Sequence, residues 1–283
     1  MQHPNRVIFE SISEIPQWLS EQSVQVAQGS QMPASQSWDM GEGYDGVVAM
    51  AEDGGFWEEG AAHMIEATSA MTELKRDGYT VETDYDVTGA YLDMDEYLSG
   101  SPECFVSQNE EVPVSVIKIG VQLYTPAGND FSEYLNRGAA IMSVIDDLEM
   151  QGVRVELWGC VSGVNRNSQK GNITGIDMRV CLKQAHEAWS PSSVAFGLCH
   201  AGFGRRLGFR VAESFENNND YCCGHTLDFK KDRPLDSDFD CWLGYNDMVE
   251  NTYRDVGQAL SMIQKEIALQ LKEGEGTGYA AYS

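Results

Sequence analysis

The residues whose types and spacing could do chemistry lie mostly within residues 154–233. Gly202-Phe203-Gly204-Arg205-Arg206-Leu207-Gly208 sets two adjacent arginines between Phe203 and Phe209, with Arg210 following. Guanidinium forks beside aromatic rings suit a surface that holds phosphates and stacks bases. They suit a structural role equally well, in which a carboxylate inside the fold pairs with one of them. The stretch contains Gly-x-Gly, but it follows a helical pattern and its third glycine is misplaced for dinucleotide binding, so a glycine-capped helix end explains it as well. A second cluster, Lys230, Lys231 and Arg233, follows Phe229, with Tyr221 in the same zone. A third, Arg166 and Lys170, lies in the polar run 162–172. The expected nucleic-acid-binding set is therefore Arg166, Lys170, Phe203, Arg205, Arg206, Phe209, Arg210, Tyr221, Phe229, Lys230, Lys231 and Arg233. The plainer reading of each cluster is a solvated charge run.

Other chemistries find less support. The histidines His3, His63, His186, His200 and His225 have no nucleophile or carboxylate motif around them, and the chain contains neither Gly-x-Ser-x-Gly nor a phosphate loop. Cys199-His200, Cys222-Cys223, His225 and Cys241 are types that zinc accepts, yet no pair has the two-residue spacing of a zinc knuckle. The seven cysteines, Cys104 among them, are odd in number and sit in apolar contexts, which predicts reduced, buried thiols rather than a disulfide framework. The expectation is a protein with no catalytic residues, no metal and no cofactor.

Charge is unevenly spread. The chain of 283 residues carries a net charge of −25. Residues 1–113 hold 3 Lys and Arg against 22 Asp and Glu, whereas residues 154–233 hold 11 against 8. An acidic protein repels a polyanion at long range, but screening over about 8 Å lets a local basic face act. Apolar runs such as 138–144 stop well short of the ~20 residues a bilayer span needs, so no membrane partner is expected. Nor does the N-terminus read as a secretory signal.

The elements that must position these residues follow from periodicity. Residues 13–26 read as a short helix, 29–43 as an irregular connection, and 44–78 as two helices broken at Gly54-Gly55. Residues 79–97 alternate like extended chain. Residues 114–124 form a strand, 131–151 a helix stopped by Gly152, and 153–161 a second strand, which together predict a β-α-β unit with parallel strands. A third strand over 173–182 would follow through the polar loop 162–172, short enough for an antiparallel hairpin. Residues 191–198 and 245–272 read as helices. The predicted fold class is α/β, a central β-α-β sheet of von Willebrand A-like or novel topology with flanking helices. Its expected parts are an acidic, mainly helical segment over 1–113 packing on the core, an α/β core over 114–272, and a mobile tail over 273–283.

The topology resembles a von Willebrand A-like domain, but the chelating Asp-x-Ser-x-Ser expected after the first strand is replaced by Thr125-Pro126-Ala127-Gly128-Asn129-Asp130, and Asp130 reads better as a helix cap. A wider resemblance is carried by Phe56-Trp57-Glu58-Glu59-Gly60-Ala61, by Tyr91-Leu92-Asp93-Met94-Asp95-Glu96-Tyr97-Leu98-Ser99-Gly100-Ser101-Pro102-Glu103-Cys104, and by Arg137-Gly138-Ala139-Ala140. Gly152-Val153-Arg154-Val155-Glu156-Leu157-Trp158 and Arg205-Arg206-Leu207-Gly208-Phe209 continue it. In these stretches the chain resembles a little-characterised family found largely in bacteriophages and their hosts, and within it the single-stranded-DNA-binding RNA polymerase cofactors of the schitovirus phages. That resemblance implies a partner in single-stranded DNA, a second in a phage RNA polymerase, and residence in the cytoplasm of an infected bacterium. It transfers no catalytic residues and leaves a homo-oligomer open. The competing expectations are a protein-binding adaptor of von Willebrand A-like shape and a DNA-processing enzyme.

Overall fold

The computed structural model describes residues 5–23, 29–76, 85–86, 91–92, 94–99, 101, 105–106, 116–123, 131–167, 172–215, 239–244 and 252–274. In chain order the elements are β1 (Asn5–Phe9), α1 (Glu14–Ser20), α2 (Gln36–Asp39), α3 (Gly43–Glu52), α4 (Glu58–Arg76), β2 (Tyr85–Asp86), β3 (Tyr91–Leu92), α5 (Met94–Ser99) and β4 (Phe105–Val106). There follow β5 (Val116–Gln122), α6 (Phe131–Met150), β6 (Arg154–Asn167), β7 (Asn172–Lys183), α7 (Pro191–Cys199), a π-helical turn (Phe203–Gly208), α8 (Phe209–Glu213), β8 (Cys241–Leu243), a 3-10 turn (Thr252–Arg254) and α9 (Val256–Gly274). The fold class is α/β, as the alternating patterns require.

The main sheet has the order β1-β7-β6-β5-β8. β5 and β6 run parallel on either side of α6, which is the expected β-α-β unit. The helix ends where Gly152 adopts φ +82°, a conformation that costs glycine nothing and lets the chain turn into β6. β6 and β7 form the expected antiparallel hairpin, β8 adds parallel to β5, and β1 adds parallel to β7. A second, small sheet has the order β2-β4-β3.

The N-terminal part, expected to be mainly helical and packed on the core, also supplies β1 to the main sheet, and its Phe9 shares one core with residues as distant as Leu271. Two expectations need correcting. The polar run 162–172 is largely strand, since the β6/β7 register continues to Asn167↔Asn172. The last helix begins at Val256, where the Asp255 carboxylate accepts from the Gln258 N–H and caps the first turn. The proposed Asp130 cap and residues 275–283 of the tail lie outside the described residues.

One face of the sheet is apolar. Val155, Leu157 and Val161 of β6, Met178, Val180 and Leu182 of β7, and Ile117, Ile119 and Val121 of β5 are buried there against α6 and its neighbours. α7 starts at an N-cap, Ser190, whose hydroxyl accepts from the Ser193 N–H ahead of Pro191. It packs close enough that a Cβ on Gly138 of α6 would lie 2.4 Å from Cys199 Sγ. Arg137 beside it donates to the carbonyls of Gln122, Leu243 and Gly244, tying together the carboxyl ends of β5 and β8. At the free edge of β8, the Gln270 amide of α9 accepts from the Trp242 N–H and donates to the Trp242 carbonyl, each at 2.7 Å.

Candidate nucleic-acid interface

The arginine pair lies inside the fold. Arg206 is fully buried, and its guanidinium donates to Asp39 Oδ2 and to the carbonyls of Ser30 at 2.9 Å, Met32 at 2.6 Å and Pro33 at 3.2 Å. Burial would raise the Asp39 carboxyl, but N–H donors from Ser35 and Gly41 and the Arg206 guanidinium outweigh it and hold the group below its ordinary value. Arg205 donates to the Trp38 carbonyl at 2.7 Å and the Tyr134 hydroxyl at 3.1 Å, with its guanidinium 4.9 Å from the Trp38 ring centre. Phe203 packs edge-on against Phe196, and Phe209 lies against Trp38. All four side chains are buried, so the expectation that Phe203, Arg205, Arg206 and Phe209 face nucleic acid is corrected: they clamp the segment around α2 to the π-helical turn. Glu213 completes the clamp by accepting from the N–H groups of Gly29 and Ser30. Arg210 is half-buried and hydrogen-bonded to Tyr44.

The remaining predicted residues divide in two. Arg166 lies in β6, opposite Ile173 of β7. Lys170, Tyr221, Phe229, Lys230, Lys231 and Arg233 lie outside the described residues. Arg166 belongs to a part of the hairpin with an unusual situation. Pairing of β7 with β1 begins at Ile176, and pairing of β6 with β5 ends at Cys160. Beyond these points, residues 163–167 and 172–175 continue as a two-stranded ribbon with no third strand beside it among the described residues. Residues 163–175 contain Arg166 and Lys170 and no Asp or Glu, in a chain with 44 acidic residues.

The ribbon continues β6 and β7 beyond their neighbours in the sheet, and the second face of that sheet carries charged and polar residues. Strand register places Lys118, Gly120 and Gln122 of β5 beside Glu156, Trp158 and Cys160 of β6. Cys160 and Ser162 then stand beside Arg179 and Asp177 of β7, and Asp177 beside Arg6 of β1. Asp177 Oδ2 takes Arg6 Nε at 2.9 Å and Arg179 Nη2 at 3.0 Å, and Asp177 Oδ1 accepts from the Ser162 hydroxyl. Glu156 Oε1 accepts from Trp158 Nε1 and lies 3.3 Å from Lys118 Nζ. The only sequence signal for this face was the charged residue at alternate positions of strands that are otherwise apolar.

No group of three or more His, Cys, Asp or Glu side chains is placed to hold a cation among the described residues. Cys199 is buried and its thiol is pushed up to about 12, so it is no nucleophile, and burial pushes the Cys160 thiol up as well. His200 packs edge-on against Trp57, its Nδ1 accepts from the Gly202 N–H, and burial lowers its pKa to about 4. No described helix is long and apolar enough to cross a membrane.

Residues 4–267 match the family described as a domain of unknown function, DUF7192. The chain belongs to DUF7192. That match takes in both faces of the sheet, the arginine clamp and the ribbon, so the DUF7192 unit is the whole sheet with its helices rather than a fragment of it. No curated protein and no solved structure matches the chain.

Proposed function

We propose that this DUF7192 protein binds single-stranded DNA through the β6/β7 ribbon and serves a phage RNA polymerase as a transcription cofactor. The observation that carries the reading is the β6/β7 ribbon, which continues past the neighbouring strands with Arg166 in it, within a sequence stretch 163–175 that has no acidic residue in a chain of net charge −25. An antiparallel ribbon with no third strand beside it among the described residues offers backbone N–H groups to phosphates, and residues 163–175 bring cations and no acid to them. The resemblance to phage cofactors agrees with this use and names the polymerase as second partner. The reading assigns no catalysis.

The test is a gel-shift comparison of one sequence as single strand and as duplex, repeated at rising salt. The single strand should bind more tightly, with a log-log salt slope near −0.7 per phosphate neutralised, and Arg166→Ala with Lys170→Ala should weaken it while circular dichroism is unchanged. Equal or tighter duplex binding sinks the reading, a salt-independent interaction favours a protein adaptor, and cleavage products in the presence of magnesium point to a DNA-processing enzyme. Addition to a transcription reaction of the phage polymerase on a single-stranded template should raise product yield.

A further inference from the structure

The second face of the sheet carries aromatic residues on both sides of Gly120. Gly120 on β5 has Trp158 as its neighbour on β6 and Trp242 as its neighbour on β8. Above it lies Phe239, and a Cβ on Gly120 would come within 2.7 Å of the Trp242 ring and 2.8 Å of the Phe239 ring, so the glycine is what lets both rings lie down on the strand. The Phe239 and Trp242 ring centres are 5.7 Å apart, and the Arg179 guanidinium sits 4.8 Å from the Phe239 centre. All three rings belong to residues partly open to solvent. On the same face Ile8 is 49% exposed and the Lys118 side chain 47%, while Gln122, Cys160, Ser162, Asp177 and Arg179 are buried. The helices α6, α7 and α9 pack on the opposite face, and the row Arg6, Asp177, Ser162 marks where the ribbon leaves.

We propose that Trp158, Phe239 and Trp242 around Gly120 form a nucleobase-stacking platform, over which single-stranded DNA runs after passing the ribbon. Flat rings on a sheet face accept any base, and a closed duplex does not offer its base faces to them. Lys118 and the partly exposed Arg6 give the same face cations that suit an adjacent phosphate backbone, and the ribbon continues directly from its strands. The proposal rests on the single-strand reading above and adds to it where the bases, rather than the phosphates, are held.

The experiment titrates full-length protein with labelled oligothymidylate and with an abasic sugar-phosphate oligomer of equal length, following anisotropy and intrinsic tryptophan fluorescence. The wild type should bind oligothymidylate with quenching of indole emission and bind the abasic chain at least about tenfold more weakly. Trp158→Leu and Phe239→Ala should each reduce oligothymidylate affinity by about fivefold or more and leave abasic binding unchanged. Equal wild-type affinity for the two oligomers, or folded variants that bind oligothymidylate as the wild type does, overturns the platform while the ribbon reading stands. If the wild type binds neither oligomer, both readings fall. The abasic comparison needs no variant, so it decides the matter even if a substitution impairs folding.

Discussion

Replacing Arg206 with alanine should unfold the protein's arginine clamp rather than weaken a nucleic-acid surface. The guanidinium serves one carboxylate and three backbone carbonyls, all reached from the side of α2. In the variant Asp39 keeps the N–H groups of Ser35, Gly41 and Gly43, at 2.9, 3.2 and 3.0 Å, but loses its countercharge in a fully buried position. Removing one member of such a pair costs about 3–5 kcal/mol. At about 2–4 °C per kcal/mol for a chain of this size, the midpoint should fall by about 6–20 °C. Arg206→Lys keeps the charge and loses the planar fork, and so should fall between the two. The pair also predicts a sign with pH: a carboxyl lowered in the folded state contributes its full stability above the ordinary carboxylate range and loses it as pH falls through the lowered value, a dependence that Asp39→Asn should flatten. Thermal melts followed by far-ultraviolet circular dichroism would measure all three variants. An Arg206→Ala protein that melts within about 2 °C of wild type, yet has lost affinity for single-stranded DNA, would refute the clamp and restore the arginine to a binding surface.

Three further outcomes follow from buried groups. His200, lowered to about 4 by burial with Asp39 pulling weakly the other way, is neutral in the fold and gains a proton on unfolding, so stability should fall as pH drops from about 6.5 towards 4, by about 3 kcal/mol in all; His200→Phe, checked by melts across that range, should remove this component. Gly138→Ala should cost about 1–3 kcal/mol in denaturant titration, because the new methyl meets Cys199 Sγ and Met64 at the α6/α7 contact, and paired Gly138→Ala with Cys199→Ala should recover part of it. Iodoacetamide under native conditions, mapped by mass spectrometry, should leave Cys160, Cys181, Cys199 and Cys241 unlabelled, since all four are buried and the first three have raised thiols.

What the sequence discloses and what it conceals divide along the range of the interactions. The β5-α6-β6 unit is legible because hydrophobic period and a helix-ending glycine are local signals, and the two helices meeting at Gly54-Gly55 are legible for the same reason. β1 is not, because five residues ending in Val-Ile-Phe become a strand only by pairing with β7 some 170 positions on. The fate of Arg205 and Arg206 is hidden likewise: the carboxylate and carbonyls that bury them come from residues 30–39, a stretch that composition reads as irregular. A π-helical turn, which has no sequence signature, then brings both arginines inward. The aromatic residues around Gly120 come from β6 and from β8 with its approach, so Trp158 and the Phe239–Trp242 pair are brought to one strand of the sheet from some 80 positions apart.

The Gln270 amide on the edge of β8 bears on how copies of this chain could grow together. Its oxygen and nitrogen occupy the N–H and carbonyl of Trp242 that an incoming strand would need, so the side chain stands in for a missing neighbour and terminates the sheet there. β1 is the other end of the strand order. A sheet blocked at one edge could gain strands only at the other, and two copies joined there would form a closed, two-fold pair. Loss of the glutamine would leave the Trp242 N–H and carbonyl to an incoming strand, and addition through both edges would have no natural stopping point.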